Sequence, residues 1–231
     1  MKKIKAFAKV NLYLEVFPKD SNGYHKINSL ITYVKDLYDE IIIEKNTNED
    51  IVVCNIKELE KTNFIYQVLK ILRKNLVIKD FYKITLKKNI PIGAGLGGGT
   101  SDAISLAKFF KCDKVSAEQI CKKIGYDSYF FYSKYKTALV SGYGELVSKY
   151  KKKITIRKKD LIFTNINCDT KKVYEAFDKL DYEHTEKQNN LTKAACKLYP
   201  ILNNYLKIGQ MSGSGSTFIY KYKIENIKKS F

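Results

Sequence analysis

Between positions 91 and 103 the chain reads Pro91-Ile92-Gly93-Ala94-Gly95-Leu96-Gly97-Gly98-Gly99-Thr100-Ser101-Asp102-Ala103. Glycine has no Cβ, so a ligand can come close to a backbone built this way. A helix is predicted to follow at once, from about Ser101 to Phe110, and its first N–H groups lack partners inside the helix. Loop and helix start together make an anion site, with phosphate as the natural guest. Thr100 and Ser101 add hydroxyls that can donate to phosphate or turn toward a metal ion. A Walker P-loop needs Lys and then Ser or Thr after its glycines, and this segment has neither in that order. Gly93-x-Gly95-x-x-Gly98 does satisfy the dinucleotide fingerprint. That fingerprint follows a buried apolar strand, however, whereas Lys87-Lys88-Asn89-Ile90-Pro91 precedes this loop.

The elements that must position the loop follow from periodicity. From Ile4 to Val16 the even positions are Ile4, Ala6, Ala8, Val10, Leu12, Leu14 and Val16, the alternation of a long strand with one buried face. The odd face carries Lys3, Lys5, Lys9, Asn11 and Glu15 and reads as solvated, with Lys9 and Asn11 projecting together roughly 6.5 Å apart. Asp20-Ser21-Asn22-Gly23 marks a turn before Tyr24-His25, and strands are expected over 27–34 and 39–44. Asn63 heads a helix in which Phe64, Ile65, Val68, Leu69, Ile71 and Leu72 recur at helical spacing. Tyr82–Lys87 alternates as a strand. Ser116 and Gln119 have capping-box spacing for a helix ending near Gly125.

In the last third, Leu161–Ile166 reads as a strand and Lys171–Leu180 as a helix capped by Thr170. A further helix follows Asn190, and Thr217–Tyr222 is a final strand. Strands and helices interleave throughout, so the class is α/β or α+β in two parts. Seven of the eleven residues from Lys149 to Lys159 are basic. Such a run reads as a solvated linker or strand face, and it divides the chain into domains 1–154 and 155–231.

The chain has 231 residues, and 42 Lys and Arg against 24 Asp and Glu leave a net charge of 42 − 24 = +18. That excess favours anionic partners, polynucleotide or nucleotide. The hydrophobic fraction of 45% excludes a disordered basic tail. Cysteines at 54, 112, 121, 168 and 196 form no C-x-x-C pair, which argues against a structural zinc site and for a reduced, cytoplasmic protein. Lys9, Asn11 and Glu15 interrupt the apolar stretch that a signal peptide would need after Met1-Lys2-Lys3. No run approaches the ~18 apolar residues of a membrane span.

Four segments together carry a family resemblance. The glycine loop resembles the second motif of the galactokinase–homoserine kinase–mevalonate kinase–phosphomevalonate kinase superfamily. Its triple glycine and Thr-Ser-Asp-Ala are most similar to the kinases of 4-diphosphocytidyl-2-C-methyl-D-erythritol. Ala8-Lys9-Val10-Asn11-Leu12 with Gly23-Tyr24-His25 resembles the first motif and its substrate loop. Gly125-Tyr126-Asp127-Ser128 before Phe130-Phe131 resembles the Gly-x-Asp-x-Pro-Phe-Phe segment, and Met211-Ser212-Gly213-Ser214-Gly215-Ser216 the third motif. All four occur in the family's order and cover nearly the whole chain.

The resemblance implies an α+β kinase of two lobes, the first like a ribosomal-protein domain and the second ferredoxin-like, with the active site between them. It implies transfer of the ATP γ-phosphoryl group to a tertiary hydroxyl, Asp127 acting as base and Lys9 as its charge partner. ATP would be held by Asn63 and by Pro91 to Ser101, and magnesium is expected with it, near Thr100 or Ser101. Asn11, Tyr24, His25, Thr170 and Tyr174 would bind the substrate, His25 bonding the edge of its base. The competing reading of Tyr174 is core packing with Phe177. Gly213, Ser214 and Gly215 would support the phosphates. The partners implied are ATP and one small molecule, with no nucleic acid, no membrane, and a monomer or weak homodimer. Asn189-Asn190-Leu191 departs from the family's Asn-Asp-Leu, and Ser128-Tyr129 replaces its residue and proline. The alternatives are another small-molecule kinase of the superfamily and a basic nucleic-acid-binding protein.

Overall fold

The computed structural model describes residues 1–184 and 188–229. In chain order the elements are β1 (Lys2–Lys19), β2 (His25–Asn46), β3 (Ile51–Cys54), α1 (Phe64–Lys74), β4 (Phe81–Lys87), α2 (Gly98–Phe109), α3 (Lys114–Ile124) and α4 (Asp127–Tyr132). They continue as β5 (Thr137–Gly142), β6 (Leu146–Lys149), β7 (Leu161–Phe163), α5 (Thr170–Phe177), α6 (Thr192–Leu198), β8 (Gly209–Met211), β9 (Thr217–Tyr220) and α7 (Lys221–Lys229). The class is α+β. The chain forms two compact units, each discontinuous: 1–8, 37–90 and 97–134 make the first, and 9–36, 91–96 and 135–231 the second. The expected domain 155–231 falls wholly within the second unit.

In the first unit the far half of β2 pairs antiparallel with β4, Glu40 to Asn46 against Lys87 to Phe81. β3 adds in parallel on the other side of β4. α1 packs on α2 and α3, and α2 also on α4. Of the periodic residues of α1, Ile65, Val68, Leu69 and Leu72 are fully enclosed, whereas Phe64 is exposed and Ile71 only partly buried. Asn63 caps α1, its Oδ1 accepting the Ile65 N–H at 2.9 Å. The capping box expected at Ser116 is replaced by an Asp113 cap, whose side chain accepts both the Ser116 N–H and its hydroxyl at 2.9 Å. Asp and Ser cap about equally well, but the helix starts at Lys114, so Asp113 is the residue at its mouth and Ser116 lies inside it.

In the second unit the near half of β2 pairs with β5, and β5 with β6. The expected gap between 34 and 39 does not exist, since β2 is one strand of 22 residues. A separate three-stranded antiparallel sheet runs β7-β9-β8. Val173 and Phe177 of α5 and Ala194 and Ala195 of α6 share one core cluster with Leu14, Val16, Met211 and Phe218. Asp169, not Thr170, caps α5, accepting the Lys172 N–H at 3.1 Å. Strand β7 stops at Phe163 and β9 at Tyr220, where α7 begins.

The even face of β1 is buried as expected. The odd face is not the solvated surface its charges suggest. Lys3 and Lys5 are exposed, but Lys9, Asn11 and Glu15 are 4%, 3% and 4% exposed. Residues 188–190 lie along β1, with Leu14 N–H donating to Gln188 O at 2.8 Å and Asn190 N–H to Leu14 O at 3.2 Å. The Asn11 N–H donates to Ser212 Oγ at 2.9 Å. These bonds pair distant segments along the edge of β1, and on the odd face itself the Tyr182 hydroxyl donates to Glu15 Oε1 and Asn11 Nδ2 to Ser29 Oγ, both at 2.9 Å, so strand periodicity could not reveal the burial. The basic run is likewise pinned at Ile156, fully buried, whose carbonyl accepts from Lys35 N–H at 2.8 Å.

Candidate active site

Two glycine loops meet in the second unit. Gly93 and Gly95 have φ of +66° and +70°, in the left-handed region that glycine reaches without strain. A Cβ built on Gly95 would lie 2.5 Å from Gly215 O and 3.2 Å from Ser212 O. Glycine is therefore required for contact between backbones here, as well as for its φ. Thr217 Oγ1 donates to Ala94 O at 2.9 Å, and Cys168 N–H to Gly93 O at 3.2 Å. Asn189 braces the third-motif loop, its Nδ2 donating to Met211 O at 3.1 Å and Gly213 O at 2.6 Å. Ser214 and Thr170 share a hydrogen bond of 2.8 Å between their hydroxyls.

Lys9 stands at this junction. Its backbone N–H donates to Leu96 O at 3.0 Å, and a Cβ on Gly213 would lie 3.7 Å from its Nζ. Lys9 Nζ donates to Asn11 Oδ1 at 2.8 Å, and Asn11 Nδ2 donates to Ser29 Oγ at 2.9 Å. Ser29 Oγ in turn donates to Tyr13 O at 2.6 Å. A hydroxyl has one proton to give, and here it is committed to the carbonyl. Ser29 must then accept from Asn11, which turns the amide oxygen of Asn11 toward the ammonium. The adjacency of Lys9 and Asn11 that strand geometry suggested is realised.

Tyr24 lies at the turn before β2, 56% exposed, with Tyr143 at a ring separation of 5.9 Å. Asp20 shapes the turn, accepting the N–H groups of Asn22 at 2.9 Å and Tyr24 at 3.2 Å. The hydrogen bond from the Tyr143 hydroxyl holds the Asp20 pKa below its ordinary value. His25 differs from expectation. Its Nδ1 lies 2.8 Å from Phe17 O and its Nε2 3.1 Å from Asp178 Oδ1, with the side chain 8% exposed. Both nitrogens are engaged inside the unit, so the ring does not offer a free edge to a base. Tyr174 is partly buried, packs on the core cluster, and lies 5.3 Å from the His25 ring.

In the first unit α2 begins at Gly98, one residue after Gly97 in the left-handed region at φ +69°. Ser101 is 1% exposed and its hydroxyl donates inward to Phe7 O at 2.8 Å. Thr100, only partly buried, is the hydroxyl better placed for a ligand. The Asn63 amide serves its cap and also donates to Leu59 O at 3.4 Å. Asp127 is exposed in the first turn of α4, where the positive helix end favours a carboxylate.

Lys88, Asp39 and Asp102 form a buried cluster beneath the start of α2. Lys88 Nζ donates to Asp39 Oδ2 and, at 2.7 Å, to Asp102 Oδ2. Burial opposes the Lys88 charge, but the two carboxylates outweigh it and raise its pKa. Burial pushes the Asp102 carboxyl up to about 8, against the pull of Lys88. Sequence reasoning missed this cluster and Ser29, and it quoted Asn189 and Ser212 only as parts of motifs, without a role. One lysine among many carries no mark of burial, and nothing in spacing links Asp39 to Lys88.

Residues 63–132 match the GHMP kinases N terminal domain. A solved structure of mevalonate kinase aligns over 100% of this chain and 95% of its own at TM-score 0.56 and 17% identity. A solved 4-(cytidine 5'-diphospho)-2C-methyl-D-erythritol kinase aligns over 99% and 96% at TM-score 0.75 and 23% identity. The fold is that of the two-lobed GHMP kinases. The 4-diphosphocytidyl-2-C-methyl-D-erythritol kinase of Ureaplasma parvum serovar 3 is 31% identical, over 97% of this chain and 96% of that protein. The chain belongs to the 4-diphosphocytidyl-2-C-methyl-D-erythritol kinase family.

Proposed function

We propose that this protein transfers the γ-phosphoryl group of ATP to the 2-hydroxyl of 4-diphosphocytidyl-2-C-methyl-D-erythritol, in the non-mevalonate route to isoprenoid precursors. The observation that carries this reading is the convergence, in one unit, of Lys9 and Asn11 with the loops of Gly93–Leu96 and Ser212–Gly215. Asp127 takes the proton of the acceptor hydroxyl as its oxygen attacks the γ-phosphorus. The bond from that phosphorus to the bridging oxygen breaks, and ADP leaves. Lys9 offsets charge on the moving phosphoryl group, which needs positioning and electrostatic support more than covalent help.

The glycine loop and the first turn of α2 offer backbone N–H groups to the nucleotide phosphates, with Asn63 on the adenosine side. Magnesium would accompany ATP, drawing on the Thr100 hydroxyl, and would neutralise phosphate charge. Thr170 and Asn11 bind the polyol phosphate end of the substrate. Tyr24 and Tyr174 stack the base, a contact worth about 1–3 kcal/mol per base. His25 acts through ring packing against Tyr174 rather than through a side-chain hydrogen bond. The protein works in the cytoplasm as a monomer or weak dimer on ATP and this small molecule, without nucleic acid. Asp127→Asn is expected to abolish turnover while ATP still binds. Near-normal kcat in that variant, or no activity of the wild type on the cytidine substrate beside mevalonate, homoserine and galactose, would refute the proposal.

A further inference from the structure

Two stems carry the glycine loop: Lys88–Ile90 leads in from β4, and Gly98–Asp102 leads out as α2. The buried cluster ties these stems to each other and to β2. Lys88 has a side chain 4% exposed, and Asp39 and Asp102 are 0% and 1% exposed. Lys88 reaches both carboxylates. The second oxygen of Asp39 accepts the N–H groups of Asn89 at 2.6 Å and Ile90 at 2.8 Å. A Cβ built on Gly98 would lie 3.2 Å from Lys88 Nζ and 3.1 Å from Ile90 Cγ2. The outgoing stem therefore rests directly on the lysine and on the incoming stem.

Stability alone does not explain this arrangement. A buried ion pair contributes little net stability compared with apolar residues of the same shape. Here two carboxylates share one ammonium, and Asp102 Oδ1 has no hydrogen-bond partner among the described residues. What charge-assisted hydrogen bonds supply, and apolar packing does not, is direction. Each bond in the cluster fixes where one end of the loop must sit.

We propose that Lys88 is a positioning residue for nucleotide binding. With Asp39 it clamps the two ends of the glycine loop at the separation that aims the loop's N–H groups at phosphate. The proposal rests on the reading of the loop as the ATP site. The clamp bonds to the stems of the loop assigned to ATP, so its loss acts on ATP and not on the alcohol substrate.

The test measures ATP affinity by calorimetry, and KM for each substrate, in Lys88→Met, Asp39→Asn and Asp102→Asn. Lys88→Met and Asp39→Asn are expected to weaken ATP binding about tenfold or more, the order of loss that misplaced contacts produce. The KM for the cytidine substrate should stay unchanged. Asp39→Asn breaks the clamp because the new amide must turn its NH2 group toward either Lys88 or the two backbone donors. Asp102→Asn leaves an oxygen facing Lys88, so that variant should keep wild-type ATP affinity. A folded Lys88→Met that binds ATP normally, or equal weakening toward both substrates, overturns the proposal.

Amide exchange on the wild-type protein covers the case in which the variants fail to fold. The Asn89 and Ile90 N–H groups should be strongly protected with and without ATP. Exchange as fast as at Gly93 to Gly97 in the nucleotide-free protein overturns the clamp. Failure of the wild type to bind ATP would instead sink the functional reading, and the exchange result would still stand.

Discussion

Ser29 touches no expected substrate, yet the hydrogen-bond chain makes it decide which way Asn11 faces Lys9. Ser29→Ala removes two bonds at once, the 2.6 Å donation to Tyr13 O and the 2.9 Å acceptance from Asn11 Nδ2. Ser29 is fully buried, so the carbonyl and the amide N–H it leaves are short of partners in the interior. A buried polar group without its partner costs about 1–3 kcal/mol. Stability of the variant should fall within that range. The catalytic effect comes from the amide, which loses the bond that fixes its orientation. In the reversed orientation its NH2 group would meet the Lys9 ammonium, and Lys9 would move off the position from which it is proposed to support the phosphoryl group. If about one hydrogen bond's worth of positioning, ~1.4 kcal/mol, is lost from the transition state, kcat falls about tenfold.

The assay is steady-state turnover with ATP and the cytidine substrate, beside a denaturant melt. Ser29→Thr keeps the hydroxyl on a residue suited to a strand and should recover kcat even if its extra methyl costs stability. Unchanged kcat in Ser29→Ala would refute the relay. So would equal impairment of the Ala and Thr variants, since the effect would then follow packing rather than the proton.

Gly95→Ala should be severe, because a left-handed residue with a Cβ costs roughly 1–2 kcal/mol and that atom would press on Gly215 O at 2.5 Å; Gly99→Ala, whose Cβ meets only Phe64 at 3.6 Å, should leave the melting temperature unchanged or raised. Melting curves and the KM for ATP check the pair, and a wild-type-like Gly95→Ala would contradict the close approach of the two loops. Asn190 accepts from Val16 N–H and donates to Val16 O, both at 2.9 Å, a pairing that a carboxylate cannot make. Asn190→Asp, which restores the family's usual residue, should therefore destabilise this chain by about 1–3 kcal/mol in a denaturant melt, and equal stability would show that the pairing contributes nothing.

The departure at Asn190 shows how far the sequence can be read. Its amide is visible as a difference from Asn-Asp-Leu, but its role as a backbone mimic beside β1 depends on a segment 174 residues away. Ser116 and Thr170 each have the look of a cap, and in the structure each yields to a nearby aspartate, Asp113 and Asp169. Local pattern marks the region of a helix start well and its residue less well, since neighbouring side chains compete for the same amides.

The sequence by itself determined the long strand from Ile4 to Val16, the helix headed by Asn63, and the glycine loop that opens α2. It also determined the order of the four motifs. These are properties of neighbours along the chain: alternation, helical spacing, absence of Cβ. Only the tertiary structure decided that the charged face of β1 is buried, that His25 is occupied by Phe17 and Asp178, and that Lys88 sits between two aspartates under the loop. The physical reason is common to all three. A polar side chain can be buried only when distant segments bring the partners that satisfy it, and no local pattern records which segments those will be.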